Sequence, residues 1–296
     1  MQNSLSSKRL SLTKLSLGDI DFIYELVNTP EWIRFIGDRN VKTKEDARDL
    51  VQTIMNNPNV NYWVVRLHEQ LIPIGIVSLV KRDYLDFFDL GFAFLPNHTK
   101  QGFAYEATST FLQYLVNENY SPKILATTIK ENVNSIGLLK KLGFQFEKRV
   151  EIENEELLLY SISIDKYSID YLTTSFFSVF TNANQQKVNL EVINDLCLPE
   201  TIIIKKSGLK EEVYNLRAFV EPRKKILTDG TLKDFEEKEI NEETKIIGRI
   251  AQRFSKYEKS GYLNGAFFKQ SGNKFFQFIK TVRGWKINAV VWEDEE

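Results

Sequence analysis

The sequence predicts two domains of different class, an α/β domain over residues 1–167 and an α+β domain over residues 168–296. Three observations carry this. Through the first half, strand-like and helix-like segments follow in the order β-α-α-β-β-β-α-β-α-β-β. Within it, Leu90 to Phe144 holds a strand, a small-residue turn, a helix, a second strand and a helix stopped by glycine. Beyond about residue 170 helices come first, then strands that meet at Arg283-Gly284, a tight-turn signal. At 296 residues the chain is long enough for both domains. The pattern alone leaves the sheet topology of the first domain open.

Each element has its own warrant. Arg9 to Leu15 alternates apolar and polar and reads as a first or edge strand. Asp19 is placed to cap a helix to about Asn28, with Ile20, Ile23, Tyr24 and Val27 on one face. Thr43 caps a second helix near Lys44 to Asn56. Tyr62–His68 and Ile72–Arg82 are the next strands, joined at His68-Glu69-Gln70, and Phe87–Leu95 is the fourth. A helix from Tyr105 to about Asn119, a strand at Lys123–Ile129 and a helix from Asn132 to Gly143 follow. Phe144–Ile152 and Glu155–Ile164 form a hairpin around Glu153-Asn154.

The second domain begins with a helix from Ser168 to about Gln186, apolar at Phe176, Phe177 and Phe180. Val188 to Leu196 is a second helix, stopped by Pro199, and Thr201–Lys205 a short strand. Val213 to Leu227 is a third helix, interrupted at Pro222. Arg223, Lys224 and Lys225 suit the negative end of its dipole. Strands follow at Lys245–Tyr257, Gly261–Lys269, Asn273–Val282 and Trp285–Trp292.

The chemically informative segment is Thr99-Lys100-Gln101-Gly102-Phe103-Ala104. It joins a strand to a helix, and the first amides of a helix have no intrahelical partner, so they suit an anion. Gly102 has no side chain and Ala104 only a methyl, so the backbone can approach a pyrophosphate; Lys100 adds a cation. The alternative is an ordinary strand-to-helix connection. A fixed distance on come Asn132, Ser135, Leu138, Leu139 and Lys141-Leu142-Gly143-Phe144.

Together these motifs resemble the GNAT acyl-CoA N-acyltransferases, in particular the branch with the ribosomal-protein N-terminal acetyltransferases, over about residues 8–165. In that family an R/Q-x-x-G-x-G/A turn grips the coenzyme A pyrophosphate, and Asn-x-x-Ser-x-x-Leu-Leu-x-Lys-Leu-Gly-Phe forms the next helix. Thr99 departs from the pattern where the family has arginine or glutamine. The resemblance implies a GNAT α/β fold, a mixed central sheet flanked by helices, and acetyl-CoA as co-substrate. Phe92, Ala93, Phe94 and Leu95 would line pantetheine and thioester, with an amide near Phe94 as oxyanion donor. Lys100, Gln101, Gly102, Phe103, Ala104 and Asn132 would hold the coenzyme.

Asp89 stands where many relatives carry glutamate, and is the candidate base, directly or through water; otherwise it faces solvent. Asn132 and Ser135 share a helix face, with Ser135 the candidate acid for the leaving thiolate and Asn132 a helix cap as well. Leu139 holds the position of the family's tyrosine acid, so that group is excluded here. Trp32, Asp38 and Arg39 are the candidate acceptor-side residues. Their alternatives are core packing for Trp32 and a local ion pair for Asp38 and Arg39. The region from about 170 to 296 resembles the nuclear transport factor-like, or SnoaL-like, cone fold. Its opening helices, Leu196-Cys197-Leu198-Pro199 and closing Gly284-Trp285-Lys286-Ile287 with Trp292 carry that likeness.

Composition bounds the reading. A net charge of -1 gives no basic field for nucleic acid, and no apolar run approaches a membrane span. The lone Cys197, expected to be buried, and a first stretch without a signal-peptide core point to the cytoplasm. His68 and His98 are the only histidines; both read as surface residues, and no metal site is expected. The reading is an acetyl-CoA-dependent N-acetyltransferase acting on a primary amine, either a protein N-terminus or a small-molecule amine. The alternative is a catalytically weak acyl-CoA-binding or regulatory protein. The second domain, without histidine, shows no acid-base set and is expected to serve association, as a homodimer, or ligand binding. Alternation over Phe275–Phe278 and Val290–Trp292 leaves one apolar set on the outer sheet face, with Trp292 at its edge.

Overall fold

The computed structural model describes residues 4–152, 155–185 and 187–295. The hairpin turn expected at Glu153-Asn154 lies outside them, and the helix expected to run from Ser168 to about Gln186 instead spans Ile164–Ser178. The chain forms two compact units that divide between Ile164 and Asp165.

In the first unit the chain order is β1 (Ser4–Ser6), β2 (Leu10–Lys14), α1 (Ile20–Val27), α2 (Pro30–Phe35) and α3 (Lys44–Asn56). Then come β3 (Val60–Leu67), β4 (Pro73–Val80), β5 (Asp89–Phe94), α4 (Phe103–Asn117), β6 (Lys123–Thr128), α5 (Val133–Lys141), β7 (Gln145–Ile152) and β8 (Glu155–Ser163). The sheet order is β1-β2-β3-β4-β5-β6-β8-β7. Every pairing among the described residues is antiparallel except β5 with β6, so the sheet is mixed.

Period-two alternation splits the strands between two faces. Val64 and Ile76 pack with Ile23, Leu26 and Val51 of α1 and α3. Trp63, one residue away, meets Phe111 and Tyr114 of α4 at ring distances of 5.7 and 5.4 Å. Each fully buried aliphatic side chain contributes about 1.5–3 kcal/mol, so the sheet is anchored from both sides. Thr43 caps α3 as expected, through a capping box with Asp46. Asp19 does otherwise: a 3-10 turn, Leu17–Asp19, precedes α1, and the buried Asp19 carboxylate accepts from the Ser16 amide and pairs with Arg66. A guanidinium within reach outbids the helix end for that carboxylate.

The second unit holds α6 (Ile164–Ser178), α7 (Ile193–Leu196), β9 (Cys197–Ser207), β10 (Lys210–Asn215), α8 (Leu216–Thr228) and β11 (Leu232–Ile247). It ends with β12 (Ile250–Leu263), β13 (Ala266–Thr281) and β14 (Gly284–Asp294). Strand order is β10-β9-β14-β13-β12-β11, with only β9 and β14 parallel among the described pairings. Register places Ala251, Phe278, Ile287 and Cys197 in one inward row, all buried. Arg253, Phe276, Val290 and Ile203 form the next. Burial pushes the Cys197 thiol up to about 12, as suits a packed, unreactive sulfur.

Several expectations for this unit change. Residues 213–215 belong to β10, and the helix starts only at Leu216, where Asn215 caps it. Pro199 does not end a helix; it lies inside β9, in the register interruption between Cys197 and Ile202, where a missing N–H costs no ladder bond. The strand expected from Lys245 to Tyr257 is the end of β11 and the start of β12, folded back between Ile247 and Ile250. Trp292 is buried and inward, 5.7 Å from the Phe219 ring, rather than at the outer edge. The interior of the sheet also carries charge. Lys274 pairs with Glu237, Lys259 pairs with Asp294, which also accepts from the Tyr257 hydroxyl, and the Lys274 side chain is almost wholly buried.

Candidate active site

The site is built where two strands part. β5 follows β4 over its whole length, from Val80↔Asp89 to Gly75↔Phe94. With β6 it shares a single parallel pair, Asp89↔Leu125. Beyond Asp89 the β6 side of β5 is therefore open. Which backbone groups face the opening follows from alternation. The Phe88 carbonyl accepts from Leu125 on the β6 side, and the Leu95 amide donates to Ile74 on the β4 side. With no register shift between them, the amides of Phe92 and Phe94 point toward the opening. A strand edge with unpaired donors can hold an extended amide chain and polarise a carbonyl. Gly75 leaves room for the Phe94 ring, since a Cβ there would fall 2.4 Å from it.

After β5 the chain reaches the turn Thr99–Ala104. Lys100 and Gly102 both have positive φ, 58° and 81°. Gly102 is the residue before α4, and Glu106 N–H to the Gly102 carbonyl, 3.0 Å, is the first helical bond. The amides of Phe103, Ala104 and Tyr105 thus have no helical acceptor and sit at the positive end of a 15-residue helix. An anion suits this chemistry.

One residue the sequence reading missed braces the turn. Arg9, just before β2, donates through Nε to Glu106 at 2.7 Å and through a terminal nitrogen to the Gln101 carbonyl at 3.2 Å. Its guanidinium carbon stands 4.4 Å from the Phe103 ring centre. Glu106 also accepts from the Arg9 amide and the Ser7 hydroxyl. Burial opposes ionisation of Glu106, but these donors hold it below the ordinary carboxylate value. No short-range pattern links Arg9 with Glu106; only the β2–α4 packing brings them together.

The matching domain now has a basis in geometry as well as motif. Residues 9–145 match the family described as the acetyltransferase (GNAT) domain. The first unit is a GNAT acetyltransferase domain. The chain is similar to two proteins of Bacillus subtilis, the uncharacterized N-acetyltransferases YnaD and YoaA. YnaD is 28% identical over 143 residues, 48% of this chain and 83% of that protein. YoaA is 26% identical over 149 residues, again 48% and 83%. Among solved structures it is similar to a spermidine N-acetyltransferase from Vibrio cholerae, at 22% identity and TM-score 0.49, over 54% of this chain and 99% of that one.

In the acetyltransferase domain Asp89 sits at the point of the fork and is buried, so it does not face solvent. Arg82 Nε donates to it at 2.5 Å, and the Thr127 amide and hydroxyl each at 3.0 Å. Burial pushes its carboxyl above the ordinary range, against the pull of Arg82 and Thr127. Asn132 caps α5 by accepting from the Ser135 amide at 3.2 Å, and Ser135 is half-buried in the first turn. Leu139 is core.

Trp32 is buried in the α1–α3 core, and its ring N–H has no partner among the described residues. Asp38 and Arg39 are exposed. Asp38 accepts from the Asn40 amide at 2.8 Å, and among the described residues the two form no ion pair with each other. Arg39 and Arg82 both act on the Tyr62 phenol, which burial raises and the two cations pull down. Arg39 is thus brought toward the side of the sheet that carries Tyr62, whereas Asp38 closes its own turn.

Proposed function

We propose that the acetyltransferase domain transfers the acetyl group of acetyl-CoA to a primary amine, a protein N-terminus or a small-molecule amine. The fork between β5 and β6, with the Phe92 and Phe94 amides facing it, carries this reading. The pyrophosphate is assigned to the turn Lys100 to Ala104 and the thioester to the edge Phe92 to Leu95. The Phe94 amide would meet the carbonyl oxygen as negative charge develops on it. Asp89 would take the proton of the attacking amine, directly or through water, and Ser135 would return one to the departing thiolate. Trp32, Asp38 and Arg39 remain assigned to the acceptor side, where Arg39 best fits recognition of a polar acceptor. The test is thiol release from acetyl-CoA with a panel of peptides, amino acids, polyamines and drug amines. Release with at least one class supports the reading, and none above hydrolysis overturns it.

For residues 165–296 we propose a SnoaL-like cone acting as a binding or homodimerising module of a cytoplasmic enzyme. The support is the strand order, with the first strand of the unit, β9, lying parallel to the last, and helices preceding the sheet.

A further inference from the structure

The second unit contains a cavity of about 520 Å³, within the range of small-molecule sites. Its apolar wall is aromatic, made by Phe176, Phe180, Phe219, Phe235, Phe268 and Trp292. Phe219 stands edge-on to Phe180 and Trp292, at 5.5 and 5.7 Å, and Phe235 stacks on Phe268 at 6.3 Å. Such a lining accepts a flat apolar body.

The polar part of the wall is unbalanced. It carries the cations Lys205, Arg223, Lys259 and Lys274 and the carboxylates Glu237 and Asp294. Lys274 is satisfied by Glu237 at 3.0 Å and Lys259 by Asp294 at 2.5 Å, with Lys205 adding to the positive field on Asp294. Arg223 differs. Its guanidinium lies 3.6 Å from the Phe219 ring centre and gives one bond, 2.9 Å, to the Phe219 carbonyl. Among the described residues no carboxylate lies within ion-pair distance of it. Glu237 and Glu212 act on it only through space, and burial pulls it below its ordinary value. A half-buried cation with no anion at ion-pair distance carries a desolvation cost that the Phe219 ring and carbonyl and the distant carboxylates offset only in part. The planar fork of a guanidinium is the natural partner of a carboxylate.

We propose that this cavity binds an organic anion, a flat apolar body held among the aromatic rings, whose single carboxylate meets Arg223 with Lys205 as the second cation. The proposal deepens the reading of residues 165–296 as a binding module and is independent of acetyl transfer.

The probe pair is 2-naphthoate and its neutral counterpart 2-naphthamide, titrated by calorimetry into the full chain in saturating coenzyme A. The expected result is one 2-naphthoate per chain, bound roughly tenfold or more tighter than 2-naphthamide, the scale of a charge-assisted hydrogen bond. Arg223→Gln should bring the two within about threefold of each other, and Arg223→Lys should fall between, as expected when one charge-assisted contact is lost or weakened. Equal affinities in the parent, no binding of either probe, or a preference that survives Arg223→Gln would each overturn the proposal. The parent comparison needs no variant, so it decides even if Arg223→Gln unfolds. Thiol release from acetyl-CoA, measured on the same protein preparation without added coenzyme A, reads the first unit separately: its failure with 2-naphthoate binding intact counts against acetyl transfer alone.

Discussion

Asp89 is where residue-level chemistry is most concentrated. A base must be deprotonated to act, and burial has raised this carboxyl above its ordinary 3.8. Transfer should therefore rise with pH through the folded value, and Asp89→Asn should remove that limb while lowering the rate by about 10²–10⁴. A pH–rate profile of thiol release unchanged in Asp89→Asn would leave positioning and free-amine attack as the mechanism. The stability sign runs the other way. Because folding raises this pKa, the unfolded chain loses the proton first above 3.8, so the carboxylate's contribution to stability falls with pH up to the folded value. Ser135→Ala should lower kcat and leave coenzyme affinity nearly unchanged, since Ser135 caps nothing with its hydroxyl while Asn132 carries the cap. Asp89, Asn132 and Ser135 were legible as candidates because each stands in a local motif. Arg82 and Thr127 at Asp89 were not, because one approaches from a loop and the other from β6.

At the level of elements, the turn into α4 depends on a brace from outside it. Gly102→Glu should abolish coenzyme binding: a side chain there is strained at φ 81°, starts 3.4 Å from the Arg9 guanidinium, and brings a negative charge to an anion site. Binding by calorimetry at parental affinity would displace the site. Arg9→Ala should loosen the same turn and raise KM for acetyl-CoA about fivefold, the scale of roughly 1 kcal/mol for a partly exposed pair. Since donors hold Glu106 below 4.5, its share of stability is present above that value and is lost as pH falls through the folded pKa. A KM unmoved in Arg9→Ala would reduce the brace to packing. β11 shows why another element was illegible. Three of its inward positions, between Phe235 and Ile246, hold carboxylates instead of apolar residues: Glu237 meets Lys274, and Glu239 and Glu242 meet Arg253. An apolar-polar alternation is broken when the next two strands, β12 with Arg253 and β13 with Lys274, supply the cations. Arg223 was equally hidden, since a cation near a helix C-terminus has a local explanation that its aromatic surroundings override.

For the molecule as a whole, we propose that the two units divide the work. Every residue assigned to coenzyme and transfer lies before Ile164, so a fragment ending there should still release thiol with an accepted amine. Its loss of activity would overturn the assignment of turnover to the first unit alone. Association is assigned to the second unit, on the outer face of its sheet. Register aligns Phe254, Phe275, Val291 and Ile204 across four strands, and Ile202 follows two residues along β9. Phe275 and Ile202 are about half exposed, at 53% and 51%, while their neighbours Phe276 and Ile203 are fully buried. This is the alternation read from the sequence, and it leaves an apolar stripe of the kind that self-associates about a two-fold axis. Light scattering should find the full chain dimeric and the fragment monomeric, and Phe275→Lys in the full chain should also give monomer with acetyl transfer retained. A dimeric fragment would move the interface to the first unit, and a Phe275→Lys chain that stays dimeric would remove it from this stripe.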